Sequence, residues 1–134
     1  MQSSLNSILY VEDDPIISEI AVMAMEDFGN FIVVHCSSGR EALENAALIV
    51  PDLFLLDVMM PGMDGLETLE ELRKLPGLEH TPAIFMSAKI QTHEQEHYFE
   101  RGACGVIPKP FDPIALPATL REMWSAGMSC AIEG

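Results

Sequence analysis

The amino-acid sequence predicts an α/β fold in which one five-stranded parallel sheet is covered on both faces by helices. Short apolar runs alternate with segments in which apolar residues recur at helical spacing, and five such alternations can be traced. A strand followed each time by a helix is typical of a doubly wound sheet with right-handed crossovers. The length of 134 residues is that of a single domain with a sizeable core.

The strands are predicted from apolar runs that end at acids, prolines or glycines. In chain order they cover residues 7–11, 31–36, 53–56, 83–86 and 105–107. The third run leads directly into Asp57, and the loop from Pro61 to Gly65 follows it. In an open α/β sheet, ligands bind at the edge formed by the carboxyl ends of the strands. We therefore expect the functional residues in the loops after these strands.

The helices are predicted from apolar stripes and from residues that favour helix ends. In chain order they run from Pro15 to Phe28, from Ser37-Ser38-Gly39 to just before Pro51, from about Leu66 to Lys74, from Thr92 to Gly102 and from Asp112 to Gly127. Asp64 and Thr92 are predicted to cap the third and fourth helices. Pro117 is expected to bend the last helix, because it removes a backbone hydrogen bond.

The first helix is expected to face the core with a stripe of apolar residues. This stripe consists of Ile16, Ile17, Ile20, Met23, Ala24 and Phe28. Residues 1–6 are interpreted as a leader, residues 7–127 as the folded domain, and residues 128–134 as a frayed C-terminal tail.

Composition and charge narrow the classes of partner. The chain has 21 Asp and Glu against 7 Lys and Arg, which gives a net charge of −14. Such a surface repels phosphate backbones and anionic lipids, so we expect neither nucleic acid nor membrane as a direct partner. Three cysteines without a CxxC pair indicate reduced thiols, and no segment resembles a membrane span or a signal peptide. We therefore expect a cytoplasmic location.

Acidic residues stand after two of the predicted strands. Glu12, Asp13 and Asp14 follow the first strand, and Asp57 follows the third. If these strands are neighbours about 4.8 Å apart, their terminal carboxylates converge. Packed carboxylates repel one another unless a cation neutralises them. Mg²⁺ suits the cluster, because it binds one or two carboxylates, keeps several waters and shares phosphate oxygens.

A hydroxyl group and a lysine follow the last two predicted strands. Ser87 comes after the fourth strand, and Lys109 comes after the fifth, from where it can reach back over the acids. Acids, a metal ion, a hydroxyl and a lysine together indicate phosphoryl transfer. In this chemistry an aspartate attacks phosphorus while the positive charges neutralise the phosphoryl oxygens.

In combination, these segments resemble the response-regulator receiver domain. The motifs that carry the resemblance are Glu12-Asp13-Asp14-Pro15, the loop from Asp57 to Gly65, Ser87-Ala88, Gly102-Ala103 and Lys109-Pro110-Phe111. Each motif is weak alone, but the ordered set is highly specific and spans about Ser7 to Gly127. The resemblance implies a flavodoxin-like (βα)5 fold with strand order 2-1-3-4-5.

The resemblance also implies roles for the acidic residues. Asp57 would receive a phosphoryl group from a sensor histidine kinase or a histidine phosphotransfer protein. Asp13 matches a direct Mg²⁺ ligand, and Glu12 matches an acid that acts through a bound water. Asp57 and the backbone carbonyl of Met59 complete the set of metal ligands that the family implies.

The family resemblance assigns the phosphoryl-binding groups to Ser87 and Lys109. The bond between Lys109 and Pro110 matches a cis peptide of the family. A bound phosphoryl group would draw Ser87 inward, and the loop and helix after the fourth strand would repack. An unknown downstream protein would read this surface, and a phosphorylation-dependent dimer is a candidate result.

One position departs from the family pattern. The fifth strand often carries an aromatic residue that swings inward with Ser87, but Val106 stands here. The output surface is therefore expected to work differently, with Tyr98 or Phe99 in the fourth helix as candidates, although ordinary packing is the preferred interpretation of both. The candidate tuning residues beside the site are Asp14, Met59, Lys89 and Val106. Asp14 could instead cap the first helix.

Two other classes of function fit parts of the pattern. A Mg²⁺-dependent phosphatase with an aspartate nucleophile would need an acid two residues later, where Met59 stands. A degenerate receiver used only for binding would lack an acid, the hydroxyl or the lysine, yet Asp57, Ser87 and Lys109 are all present. We therefore predict a phosphoacceptor rather than an enzyme, either as a stand-alone receiver or as part of a longer protein.

Overall fold

The computed structural model describes residues 4–133, with side chains as far as Met128. Its five strands are β1 (Ser7–Val11), β2 (Ile32–Cys36), β3 (Leu53–Asp57), β4 (Ala83–Ser87) and β5 (Gly105–Pro108). All neighbouring pairs are parallel, and the strand order is β2-β1-β3-β4-β5. The predicted fold class and the order implied by the family resemblance are both confirmed.

Five helices alternate with the strands. They are α1 (Pro15–Met23), α2 (Gly39–Ile49), α3 (Gly65–Leu72), α4 (Thr92–Glu100) and α5 (Leu116–Glu133), and a π-helical segment (Ala24–Phe28) continues α1. Among the described residues, no helix is both long enough and apolar enough to cross a membrane.

The sheet has a separate apolar core on each face. On one face, alternate strand residues such as Leu9, Phe54 and Phe85 pack with α2, α3 and α4. On the other face, residues such as Tyr10 and Ile84 pack with α1 and α5. Because both faces are covered, β3 and β4 are buried at every position, which explains their continuous apolar runs.

The helices differ in how they begin. Asp14 accepts hydrogen bonds from the backbone amides of Ile16 and Ile17 at the start of α1. At the start of α3, Asp64 and Glu67 form a reciprocal capping box, so the predicted cap by Asp64 is confirmed. The cap predicted at Thr92 is wrong, because α4 begins at that residue and the preceding Gln91 makes no capping hydrogen bond.

The predicted apolar stripe of α1 is largely wrong. Ile16, Met23 and Phe28 are 70%, 50% and 58% exposed, and Ile20 is also exposed. The buried positions of this segment are Ser18, Ala21, Ala24 and Met25, of which only Ala24 belongs to the predicted stripe. Small residues let the helix approach the sheet closely, and the π-helical turn shifts the face that its last residues present. Apolar spacing alone therefore gave the correct helix with the wrong side inward.

The limits predicted for the last helix also need correction. Asp112 does not begin α5, which starts at Leu116, so Pro117 lies in the first turn, where no backbone hydrogen bond is lost and no bend is expected. The helix continues through Gly127 to Glu133. A Cβ at Gly127 would lie 2.8 Å from the Cβ and Sγ atoms of Cys104, so close packing accounts for this glycine. Residues 1–3 and 134, at the ends of the predicted leader and tail, lie outside the described residues.

Candidate functional site

Three carboxylates meet where β1 and β3 end. Glu12 and Asp13 follow β1, Asp57 ends β3, and these strands are neighbours in which Val11 pairs with Leu56. One oxygen atom of each carboxylate lies within 4.8 Å of the others. Glu12 and Asp57 are only 1% and 3% exposed, whereas Asp13 is exposed to solvent. The convergence expected from the order of the strands is therefore present.

Lys109 reaches this cluster from the far end of the sheet. Its Nζ atom donates a hydrogen bond to Oε1 of Glu12 at 2.9 Å and lies 3.2 Å from Oδ1 of Asp57. Burial alone would lower the pKa of the Lys109 ammonium, but Glu12 and Asp57 together raise it above its usual range. The lysine therefore stays charged between the two buried acids. The peptide bond between Lys109 and Pro110 is cis.

Glu12 is held at both of its carboxylate oxygens. Oε1 accepts from Lys109, and Oε2 accepts from the backbone amide of Asp14 at 3.2 Å. Burial raises the pKa of the Glu12 carboxyl; the bond from Lys109 opposes this shift, and the charge of Asp57 adds to it. The side chain is thus fixed in place, yet its negative charge is only partly compensated.

The chemistry of the cluster fits a divalent cation. Three carboxylates against one ammonium leave an excess of negative charge in a partly buried site. Hard oxygen donors are the ligands that Mg²⁺ prefers, and it commonly retains several waters. The exposed position of Asp13 leaves one side of the cluster open to such waters and to a phosphate group. Glu12, Asp13 and Asp57 are the residues that would hold the ion.

Ser87 lies at the end of β4, but its hydroxyl group is engaged elsewhere. Its Oγ atom accepts from the backbone amide of Lys89 at 2.9 Å and lies 3.2 Å from the Lys89 carbonyl oxygen. It also shares a hydrogen bond of 2.9 Å with the hydroxyl of Tyr98 in α4. Among the described residues, no hydrogen bond joins the Ser87 side chain to Asp57 or Lys109. The predicted phosphoryl-binding hydroxyl is therefore turned towards α4.

The other predicted site residues lie around this centre. Asp14 caps α1, which was the alternative to a tuning role. The side chains of Met59 and Lys89 are exposed. Val106 on β5 is half-buried and pairs with Phe85 of β4. None of these side chains contributes an oxygen to the carboxylate cluster.

Tyr98 is the residue whose role the sequence did not reveal. Packing on the helix was the preferred interpretation, and its ring does pack edge-on against Phe85. Its hydroxyl nevertheless bonds to Ser87, 11 positions earlier in the chain. No motif marks this contact, because it depends on how α4 crosses the sheet. Phe99, the other candidate, is 48% exposed.

Comparison with known proteins agrees with this geometry. The response regulator receiver domain model matches residues 8–121. The chain is similar to chemotaxis protein CheY4 of Vibrio cholerae, with a TM-score of 0.82 and 28% identity over 90% of this chain and 99% of that one.

Curated relatives share the same region of sequence. Response regulator Rre1 of Synechocystis is 32% identical over 87% of this chain and 51% of its own length. Transcriptional regulatory protein CseB of Streptomyces coelicolor is 37% identical over 87% of this chain and 48% of its own. The chain thus spans about half the length of these relatives. Since the receiver model covers most of its residues, the chain belongs to the response regulator receiver domain family.

Proposed function

We propose that this chain accepts a phosphoryl group on Asp57 with the help of Mg²⁺. The donor would be a sensor histidine kinase or a histidine phosphotransfer protein. The observation that carries the proposal is the convergence of Glu12, Asp13 and Asp57 within 4.8 Å, with Lys109 bonded to two of them. Nucleophile, metal ligands and fixed positive charge thus occupy one small site.

The side chains divide the work of the transfer. A carboxylate oxygen of Asp57 attacks phosphorus as the bond to the donor's imidazole nitrogen breaks. The electron pair of that bond stays on the ring, whose other nitrogen is protonated in the phosphodonor, so the products are an aspartyl phosphate and neutral imidazole. Lys109, already 3.2 Å from Asp57, neutralises part of the phosphoryl charge. Ser87 donates a hydrogen bond to a phosphoryl oxygen once it leaves its present partners. Mg²⁺, when bound, supplies the remaining positive charge at these oxygens.

The phosphorylated state is proposed to last only until the aspartyl phosphate is hydrolysed, and the protein does not turn over a separate substrate. An aspartyl phosphate is an acyl phosphate, which water hydrolyses. The exposed side chains of Met59 and Lys89, two residues after Asp57 and Ser87, are placed to tune the approach of that water. Asp14 and Val106 complete the set of proposed tuning residues.

The output is proposed to be a contact with another protein, or a phosphorylation-dependent dimer. A net charge of −14 disfavours direct binding of nucleic acid or of an anionic membrane by this chain. Some relatives are named as transcriptional regulators, but this chain spans only part of their length. A cytoplasmic location stays a prediction.

A phosphatase mechanism fits the site less well. An aspartate nucleophile that releases an alcohol from a phosphoester needs a neighbouring acid to protonate the leaving group. The position two residues after Asp57 holds Met59, whose thioether carries no proton to donate. The site therefore favours acceptance of phosphate over hydrolysis of a separate substrate.

Intact mass after incubation with Mg²⁺ and acetyl phosphate tests the proposal. We expect a mass increase of one phosphoryl group that needs Mg²⁺ and is absent from Asp57→Asn. Asp64→Asn is the matched control: it removes an acid from the same loop, and asparagine still caps α3, so its adduct should persist. An adduct on Asp57→Asn, or none on the unaltered chain, would refute the assignment. Sustained turnover of a small phosphoester would instead favour the phosphatase.

A further inference from the structure

Helix α4 is attached to the core by a single buried side chain. Of its nine residues, all of which the structure describes, only Tyr98 is buried. No side chain caps its first turn, because Gln91 makes no capping hydrogen bond. The start of α4 and its side chains thus supply little more than this one anchor, and such an element opens more easily than the rest of a fold.

The anchor ends at the residue expected to sense the phosphoryl group. The Tyr98 ring packs edge-on against Phe85, with ring centres 5.7 Å apart. Its hydroxyl lies 2.9 Å from the Ser87 Oγ atom and 3.2 Å from the Lys89 carbonyl oxygen. The contact is buried, with Ser87 and Tyr98 only 0% and 4% exposed. Water therefore does not readily replace either partner.

The hydrogens of the two hydroxyl groups are fully used in this arrangement. Each hydroxyl donates one hydrogen. The acceptors in reach are the Lys89 carbonyl oxygen and the oxygen of the other hydroxyl. Ser87 must therefore withdraw its hydrogen from Tyr98 or Lys89 before it can donate to a phosphoryl oxygen on Asp57. Since the Ser87 hydroxyl must also turn away from α4 to face Asp57, phosphoryl binding competes with its present hydrogen bonds to Tyr98 and Lys89.

We propose that Tyr98 couples the phosphorylation state of Asp57 to the position of α4. This inference rests on the proposed function of Asp57. When Ser87 turns towards the phosphoryl group, the Tyr98 hydroxyl loses a buried partner, and α4 loses part of its only anchor. Val106 on β5 has no ring that could follow Ser87, so the aromatic side of the switch is supplied by α4.

The two tyrosines of the chain provide a matched pair of variants. Tyr98→Phe keeps the ring and removes the hydroxyl that bonds to Ser87. Tyr10→Phe makes the same change at a fully buried ring whose hydroxyl has no hydrogen-bond partner among the described residues. Only the first substitution should affect Ser87 and α4.

The experiment combines intact mass with hydrogen–deuterium exchange of the full chain in Mg²⁺, with and without acetyl phosphate. In the unaltered chain, phosphorylation should speed exchange of residues 92–100 by about 2- to 10-fold, the loss expected for one hydrogen bond. Tyr98→Phe should exchange at this faster rate before phosphorylation and change little afterwards. Because its Ser87 has lost the bond to residue 98 and keeps only those to Lys89, it should also phosphorylate about 2- to 10-fold faster. Tyr10→Phe should match the unaltered chain in both respects.

The possible results distinguish the role of Tyr98 from that of Asp57. An adduct that leaves α4 exchange unchanged overturns the role of Tyr98 but not that of Asp57, whereas no adduct overturns both. Slower phosphorylation of Tyr98→Phe would indicate a purely structural residue and would also overturn the coupling. If Tyr98→Phe does not fold, Ser87→Ala removes the same bond from the other side. It should raise α4 exchange before phosphorylation, and unchanged exchange there contradicts the proposal.

Discussion

Helices α3 and α4 each follow a strand that ends in a site residue, yet they are held in opposite ways. α3 follows Asp57, begins with a complete capping box and buries four of its residues, Gly65, Thr68, Leu69 and Leu72. α4 follows Ser87, lacks a side-chain cap and buries one residue. Because caps and buried contacts set the free energy of local opening, the side of the sheet edge at Asp57 is held firmly, whereas the side at Ser87 opens more easily.

The largest loss of stability is expected from a side chain added at Gly65, where α3 packs against the end of β3. A Cβ at Gly65 would lie 2.3 Å from the carbonyl oxygen of Asp57 and 3.0 Å from the Cα atom of Val58. Since backbone atoms cannot rotate away, Gly65→Ala should lower the free energy of unfolding by about 3 kcal/mol, as measured by urea denaturation.

Gly62→Ala in the same loop is the control for this substitution. Gly62 has a φ of +74°, but a Cβ added there would meet no atom within 4 Å. Alanine should therefore cost only about 1 kcal/mol through backbone strain. Equal losses of unfolding free energy for the Gly62 and Gly65 variants would show that α3 is not closely packed on the end of β3.

A somewhat smaller change in stability is expected when Mg²⁺ binds, and the protection should be confined to the loops that carry the three carboxylates. At about 100 times its dissociation constant, Mg²⁺ should stabilise the fold by about 2.7 kcal/mol, and chelation should reverse this. Hydrogen exchange should slow in the loops after β1 and β3 but not in α4. Asp13→Asn should weaken the response, and an equal response in that variant would contradict the predicted ligand set.

The pH dependence of this binding follows from Glu12. Burial raises the pKa of its carboxyl group, and Mg²⁺ requires the ionised form. Protons therefore compete more strongly as the pH falls. The Mg²⁺ concentration needed for half-maximal stabilisation should increase as the pH is lowered from about 8 to about 6.

A moderate effect is expected from removing the cap of α3. Asp64→Ala breaks the capping box and should cost about 1 kcal/mol in thermal or urea unfolding. Gln91→Ala at the start of α4 should cost less than about 0.5 kcal/mol, because no hydrogen bond is lost. A reversed order would mean that the two helices are not held as differently as their first turns indicate.

The smallest effect is expected from giving α4 the cap it lacks. The backbone of Gln91 is extended, with φ −65° and ψ 160°, as a capping residue requires. Gln91→Ser should therefore stabilise α4 by about 0.5 kcal/mol and slow exchange of its amides about twofold. Faster exchange would exclude a serine cap at this position.

The sequence predicted the sheet and the acidic site better than the helix faces. Buried parallel strands leave continuous apolar runs, and acids directly after such runs, as at Glu12 and Asp57, fall at the edge where this fold binds its ligands. The face of α1 was largely wrong because Ser18 and Ala21, rather than the larger Ile16 and Ile20, fit against the sheet. Such a choice depends on the space between layers, which periodicity does not measure.

One further error and one missed contact have the same origin in tertiary packing. Gly127 resembles a helix end in sequence, but in α5 it is the residue that fits beside Cys104. Tyr98 looks like ordinary packing until α4 places its hydroxyl beside Ser87. Both roles are set by residues distant in the chain, so no local pattern records them.

The bond between Lys109 and Glu12 spans 97 positions of the chain. During synthesis the acids emerge from the ribosome long before the lysine that balances them. Until β5 docks at the edge of the sheet, the acidic end of β1 and β3 has no such partner and repels itself. Under the proposed function, the site at Asp57 is therefore complete only when β5, which Lys109 directly follows, is in place.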